Sequence, residues 1–201
     1  MFKKKKYTVI RQAISKDLAA FVANYFCMQK QVYDTCRATR YISPFENIIG
    51  NYESKDEQIP ETYSQYSNIA METLMLKCQP EMEKITGLKL YPAYTYARIY
   101  KNGSDLKIHT DRPECQYSVT LCLGGEYEKP WPIWIKDYAG KSHEVPLDVG
   151  DMVVYHGTEL EHWREKFEGN MQYQLFMHYV DSEGEFKDRI YDGRPNLGLK
   201  K

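Results

Sequence analysis

The 201-residue chain carries 27 Lys plus Arg against 28 Asp plus Glu, a formal net charge of −1, which argues against a dedicated nucleic-acid binder. Its length suits one domain whose core needs no metal or disulfide staple. Ordinary glycine (12) and proline (9) contents exclude fibrous and disordered classes, and no apolar run reaches the ~18 residues of a membrane span.

The basic start, Lys3 to Lys6, reads as a solvated tip; no apolar signal core follows it. Residues 7–11 read as a short strand. Ser15 can cap a helix from Lys16, in which Ile14, Leu18, Phe21, Val22, Tyr25 and Phe26 form one apolar face running to about Val32. Residues 42–61, with Pro44, Gly50 and Pro60, read as a loop. A second helix is predicted from Thr62 to Ile85, with apolar positions Ile69, Leu74, Leu76 and Met82, ending at Thr86-Gly87.

After Gly87 the texture changes to alternating aromatic and β-branched residues. Strands are predicted over 90–100, 116–123, 131–136, 142–146, 152–155 and 172–180, separated by Gly, Asn and Asp turns. Roughly eight strands at this spacing, rich in the chain's 18 tyrosines, indicate a barrel or sandwich with the helices packed on its outer face. The five cysteines (27, 36, 78, 115 and 122) lack CxxC spacing. They read as reduced thiols of a cytoplasmic protein, not as a zinc site.

The residues that carry chemistry are His109, Asp111 and a later histidine. Two imidazoles and one carboxylate occupy one face of an octahedral Fe(II) and leave the other face open. Residues two apart on a strand share a side, so His109 and Asp111 can clamp one ion at a strand end. The tripeptide itself is common by chance; its setting, between a Tyr-rich strand and a strongly apolar one, carries the signal. The third ligand must come from another strand. His143 lies in a polar hairpin, and spacing does not choose among His156, His162 and His178.

The run from Tyr96 to Asp111, then Ser118 to Leu121, Gly150 to Tyr155, Glu161-His162-Trp163 and the close at His178 to Asp181 resembles the prolyl-hydroxylase-like branch of the Fe(II)/2-oxoglutarate dioxygenases. The whole chain is similar to small oxygenases of that branch from bacteriophage and marine viruses. The resemblance implies a mainly β fold with packing helices: a double-stranded β-helix, or jelly roll, with helices on its outer face. Residues 88–181 would be the catalytic core, 1–87 a strand plus helical support, and 182–201 a tail. It also implies that His109, Asp111 and His162 hold the metal, with Tyr100 and Thr120 on the cosubstrate. Fe(II), 2-oxoglutarate and O₂ would be required, with ascorbate as an optional reductant. The reaction would hydroxylate a C–H bond of a protein side chain, prolyl-type, or of a small molecule, releasing succinate and CO₂. The compartment would be the cytoplasm, that of the bacterial host if the protein is viral.

One departure stands out. Members usually carry Arg or Lys on the last core strand, about ten residues after the distal histidine, facing the far carboxylate of 2-oxoglutarate. Here that place holds Gln172, with Gln174 two residues on. A buried carboxylate needs a cation. Arg98, on the strand face of Tyr96 and Tyr100, is the first candidate, acting from the opposite side of the pocket with Gln172 assisting; Arg164, sharing the parity of His162, is the second. The mouth is expected to involve Arg112, Trp131, Trp134, Trp163 and Arg164. The alternatives are a catalytically silent barrel and a cupin-like metal site independent of 2-oxoglutarate, to which His156 or His178 would contribute.

Overall fold

The computed structural model describes residues 2–41, 51–52, 59 and 62–200. In chain order the elements are α1 (Phe2–Lys5), β1 (Tyr7–Ile10), α2 (Lys16–Thr39), β2 (Asn51–Tyr52), β3 (Tyr63–Tyr66), α3 (Ile69–Thr86), β4 (Leu90–Lys101), β5 (Leu106–His109), β6 (Tyr117–Glu126), β7 (Ile133–Lys136), β8 (Ser142–Val145), β9 (Met152–His156), β10 (His162–Arg164) and β11 (Met171–Asp181). Short 3₁₀ turns lie at Pro113–Cys115 and within Lys187–Gly193, the latter interrupted by a kink at Ile190 to Asp192.

Two antiparallel sheets form, ordered β1-β9-β6-β11-β4-β3-β2 and β5-β10-β7-β8. From β4 to β11 the chain passes repeatedly from one sheet to the other. Period-two alternation sorts the long strands. On β4, Ala97 and Ile99 join Val119, Leu121, Val154, Leu175, Met177 and Tyr179 in a buried cluster with Val22 and Phe26 of α2 and Met71, Met75 and Met82 of α3. The residues between them — Tyr96, Arg98 and Tyr100 on β4, Thr120 on β6, Gln172 and Gln174 on β11 — face the other way. There Cys122, Val153 and Tyr155 of the large sheet meet Ile133, Ile135 and Val145 of the small one.

Several elements differ from the sequence reading. Helix α2 continues past Val32 to Thr39 and ends on Arg40 in the left-handed conformation. Its buried stripe is Ala19, Val22, Ala23 and Phe26, and Phe21 is 67% exposed. At 100° per residue Phe21 falls outside that stripe. The second helix starts at Ile69, not Thr62, because Asn68 caps it, accepting from the amides of Ala70 and Met71. Tyr63–Tyr66 instead form a strand paired with β4. Ile69 and Leu76 are exposed. Strand β6 runs on through Gly124-Gly125 to Glu126. A Cβ on Gly125 would collide with the Met171 carbonyl, so glycine permits that pairing. The predicted loop at 42–61 lies mostly outside the described residues, apart from β2 and Ile59. Among the described residues, no helix is long and apolar enough to cross a membrane.

Candidate metal centre

Strands β5 and β10 pair antiparallel with His109 directly opposite His162. Asp111 follows β5, and its amide donates to the Gly157 carbonyl at 2.8 Å. Pairing and this bond bring His109, Asp111 and His162 together, with one ligand atom from each lying within 4.8 Å of the others. His109 Nδ1 donates to the Lys107 carbonyl (2.7 Å) and His162 Nδ1 to the Leu160 carbonyl (2.9 Å). A carbonyl can only accept, so each neutral ring carries its proton on Nδ1 and presents a bare Nε2. These Nε2 atoms lie 3.7 and 3.5 Å from Asp111 Oδ1. Three electron-rich atoms thus converge with no proton between them, an arrangement that suits a cation.

Burial pushes the Asp111 carboxyl up, but positive charge shared with His162, which a bound metal would replace, and the Ser118 hydroxyl outweigh it and hold the group down to about 2. Burial, then the neighbouring His162, lowers His109 as well. Both shifts favour the deprotonated forms that ligate metals.

A second layer orients Asp111. Ser118 Oγ donates to Asp111 Oδ2 at 2.9 Å and lies 2.9 Å from His178 Nδ1. The single hydroxyl proton is shared between Asp111 and the Cys115 carbonyl, also 2.9 Å away, and the Ser118 oxygen accepts from His178 Nδ1–H. His178 packs tilted against Tyr94 at a centroid distance of 4.5 Å. Asp111, Cys115 and His178 also approach one another. Burial pushes the Cys115 thiol well up, and its sulfur is engaged by Tyr94 Oη at 3.0 Å. His178 therefore stands behind the carboxylate as its support. Gly157 completes the setting: a Cβ there would collide with Asp111 Oδ2, the Cys115 carbonyl and Ser118 Oγ. Sequence reasoning missed Ser118, His178 in this role, and Gly157. The inward parity shared by Ser118 with Thr120 was the available signal for the first.

The other singled-out residues divide into two groups. Tyr100 is buried, edge-on to Trp131 with centroids 4.9 Å apart. Thr120, Gln172 and Gln174 are buried on the same inner face. Gln172 Nε2 donates to Gln174 Oε1 (3.1 Å), and Gln174 Nε2 donates to Thr120 Oγ1 (2.6 Å). Arg98 lies opposite Gln174 in the β4–β11 ladder, so it shares the glutamines' sheet and is not across the pocket from them. Its guanidinium donates to Tyr96 Oη at 2.9 Å and covers the rings of Tyr96 and Tyr100. Arg164 comes from the facing sheet and is 2% exposed.

Trp134 borders a surface cavity that Trp131 and Phe167 also line, and Trp163 lies beside it. His162 pairs with Ile135, both buried between the sheets, so their neighbours Trp163 and Trp134 lie on the opposite face, where they stack at 5.9 Å. Arg112 is held by Asp192 and Glu114 and lies over Tyr94. His156 faces away from the triad, edge-on to Tyr117, and His143 pairs with Asp137.

No family model and no curated protein matches the sequence. Among solved structures the chain is similar to a Pseudomonas putida prolyl-4-hydroxylase, with 14% identity over 90% of this chain and 95% of that one at a TM-score of 0.63. It is also similar to SnoN, a non-heme α-ketoglutarate-dependent epimerase from nogalamycin biosynthesis, with 11% identity, coverage of 100% and 90%, and a TM-score of 0.68. A third is the viral collagen prolyl hydroxylase of Paramecium bursaria Chlorella virus-1, with 9% identity, coverage of 88% and 97%, and a TM-score of 0.59. The fold is that of the 2-oxoglutarate- and iron-dependent oxygenases. At these identities the likeness concerns fold alone.

Proposed function

We propose that the protein is an Fe(II)- and 2-oxoglutarate-dependent dioxygenase built on a double-stranded β-helix, with residues 88–181 as its catalytic core. The observation that carries this reading is the pair of imidazoles whose Nδ1 protons are committed to carbonyls, so that two bare Nε2 atoms and the Asp111 carboxylate converge. His109, Asp111 and His162 would hold the metal. When bound, ferrous iron with 2-oxoglutarate and O₂ supplies the oxidising power to hydroxylate a C–H bond, with succinate and CO₂ as co-products.

The chain's own residues hold, orient and shield. Ser118 and His178 fix the Asp111 carboxylate. Tyr155, fully buried, packs its ring 4.7 Å from His162 and keeps that imidazole in place. Tyr100, Thr120 and the two glutamines line the interior beside the site and are the cosubstrate-facing groups. The substrate class we favour is a protein side chain of prolyl type, with a small molecule as the other case.

The test is turnover. Purified protein supplied with Fe(II), 2-oxoglutarate and air should convert 2-oxoglutarate to succinate slowly without substrate. The Asp111→Ala variant should not. Iron-loaded protein that consumes no 2-oxoglutarate would favour the silent barrel.

A further inference from the structure

Between the two sheets, Arg164 is a buried cation that meets no anion of a described residue. It is 2% exposed, and no carboxylate of a described residue lies within ion-pair distance of it. Its Nη1 donates to the Trp131 carbonyl at 2.6 Å, and the Trp131 ring lies 4.7 Å from the guanidinium carbon. The opposite edge of the guanidinium is uncommitted. Nε has no acceptor, and Nη2 makes only a 3.5 Å contact with Thr120 Oγ1. That edge, Nε–H beside Nη2–H, is a fork that matches a carboxylate with two parallel bonds. A buried, unpaired guanidinium is costly unless something anionic meets it.

Thr120 adds a donor to the same place. Its oxygen already receives Gln174 Nε2 at 2.6 Å and faces Arg164 Nη2, so its own O–H proton is free to be given. Gln172 holds Gln174, and Gln174 holds Thr120. This chain of amides positions the hydroxyl and brings no charge. Arg164 stands two residues from His162 on one face of β10, a Cα separation of about 6.6 Å. A ligand that reached the metal with one end could therefore place its other end at the fork.

We propose that Arg164, reaching in from the small sheet, binds the distal carboxylate of the 2-oxo dicarboxylate, with Thr120 as the neutral donor beside it. The cation is thus displaced from the last strand, where Gln172 stands, to the strand that bears the distal histidine. Arg98, which donates to Tyr96 Oη and lies in the same sheet as the glutamines, is not assigned this role. The inference rests on the dioxygenase reading, and its test separates the two.

The experiment is anaerobic calorimetry on metal-loaded protein with 2-oxoglutarate and with 2-oxopentanoate, which has the same chain length but no distal carboxylate. Wild type should bind 2-oxoglutarate at least about tenfold more tightly. Arg164→Met should lose that preference while keeping its metal. Arg164→Lys, which keeps the charge but not the fork, should retain part of it. Should Arg164→Met fail to fold, Arg164→Lys and Thr120→Val decide, each expected to narrow the preference. An Arg164 variant that discriminates as wild type does overturns the assignment, and so does loss of discrimination in Arg98→Met with none in Arg164→Lys. Metal-loaded wild type that binds neither 2-oxo acid overturns the dioxygenase reading itself.

Discussion

His109 and His162 are direct cross-strand partners, 53 positions apart in sequence, with ring centroids 4.3 Å apart. The β5–β10 pairing thus sets the spacing of the two imidazoles, and Asp111 meets them from the loop that follows β5.

Removing any member of this triad should therefore remove the metal. His109→Ala, Asp111→Ala and His162→Ala should each weaken divalent metal binding by at least about tenfold, a change of about 1.4 kcal/mol. His156→Ala should bind as wild type does, since its ring faces away from the site. Metal stoichiometry after dialysis checks this. Retention by His162→Ala with loss in His156→Ala would refute the ligand assignment.

The supports of Asp111 should matter almost as much as the ligands. Ser118→Ala deletes the bond to Oδ2 and is expected to cost about 10–100-fold in metal affinity, as the loss of partners behind a ligand typically does. Gly157→Ala drives a methyl into Asp111, Cys115 and Ser118 together and should lose metal binding more severely. Competition with a metal-sensing dye measures both.

Stability should fall with acidity in a defined window. Burial, followed by the charge of Lys6, lowers His156 to about 4 from its ordinary 6.5. The folded state therefore holds this imidazole neutral, and the unfolded chain takes up the proton first as pH drops. Its contribution is full above about pH 6.5 and is lost as pH falls toward 4. The nearby Glu159, 3.3 Å away and 38% exposed, is too well solvated to reverse this. Urea midpoints at pH 7.5 and 5 should differ less in His156→Gln than in wild type; an equal or larger difference would show the imidazole is not the cause.

The C-terminal tail should be a structural clamp. Arg194 donates to Glu72 Oε1 at 2.8 Å with both side chains 2% exposed, and it also holds the Ala93 carbonyl. Arg194→Ala leaves the Glu72 carboxylate with the Gly198 amide but no guanidinium and should cost about 3–5 kcal/mol, whereas replacing both partners by apolar residues should cost far less. Chemical denaturation reads both; equal losses would mean the pair is not coupled.

Much of this site could be read before the fold was known. The alternation of β4, β6 and β11 showed which residues face inward, and His109-x-Asp111 marked the clamp. Strand β10 is only three residues long, too short for any period to register, so spacing leaves His162 level with His156 and His178; the family resemblance singles it out, and pairing places it opposite His109. The Ser118–His178 contact spans 60 positions and has no local signature. The placement of Arg98 across the pocket fails because strand parity reports a face but not a sheet: it faces inward with Tyr100, yet lies beside Gln174. The exposed Phe21 and Ile69 show the reverse error, in which an apolar residue was counted as core although α2 packs through alanines and α3 begins at Asn68.

The most direct test of the whole account is anaerobic titration of 2-oxoglutarate into Fe(II)-loaded protein, followed in the visible spectrum. The account predicts a metal-to-ligand charge-transfer band that saturates at one equivalent per chain and is absent from His162→Ala. Wild-type protein that holds one iron per chain at the triad yet develops no band at saturating 2-oxoglutarate would contradict it.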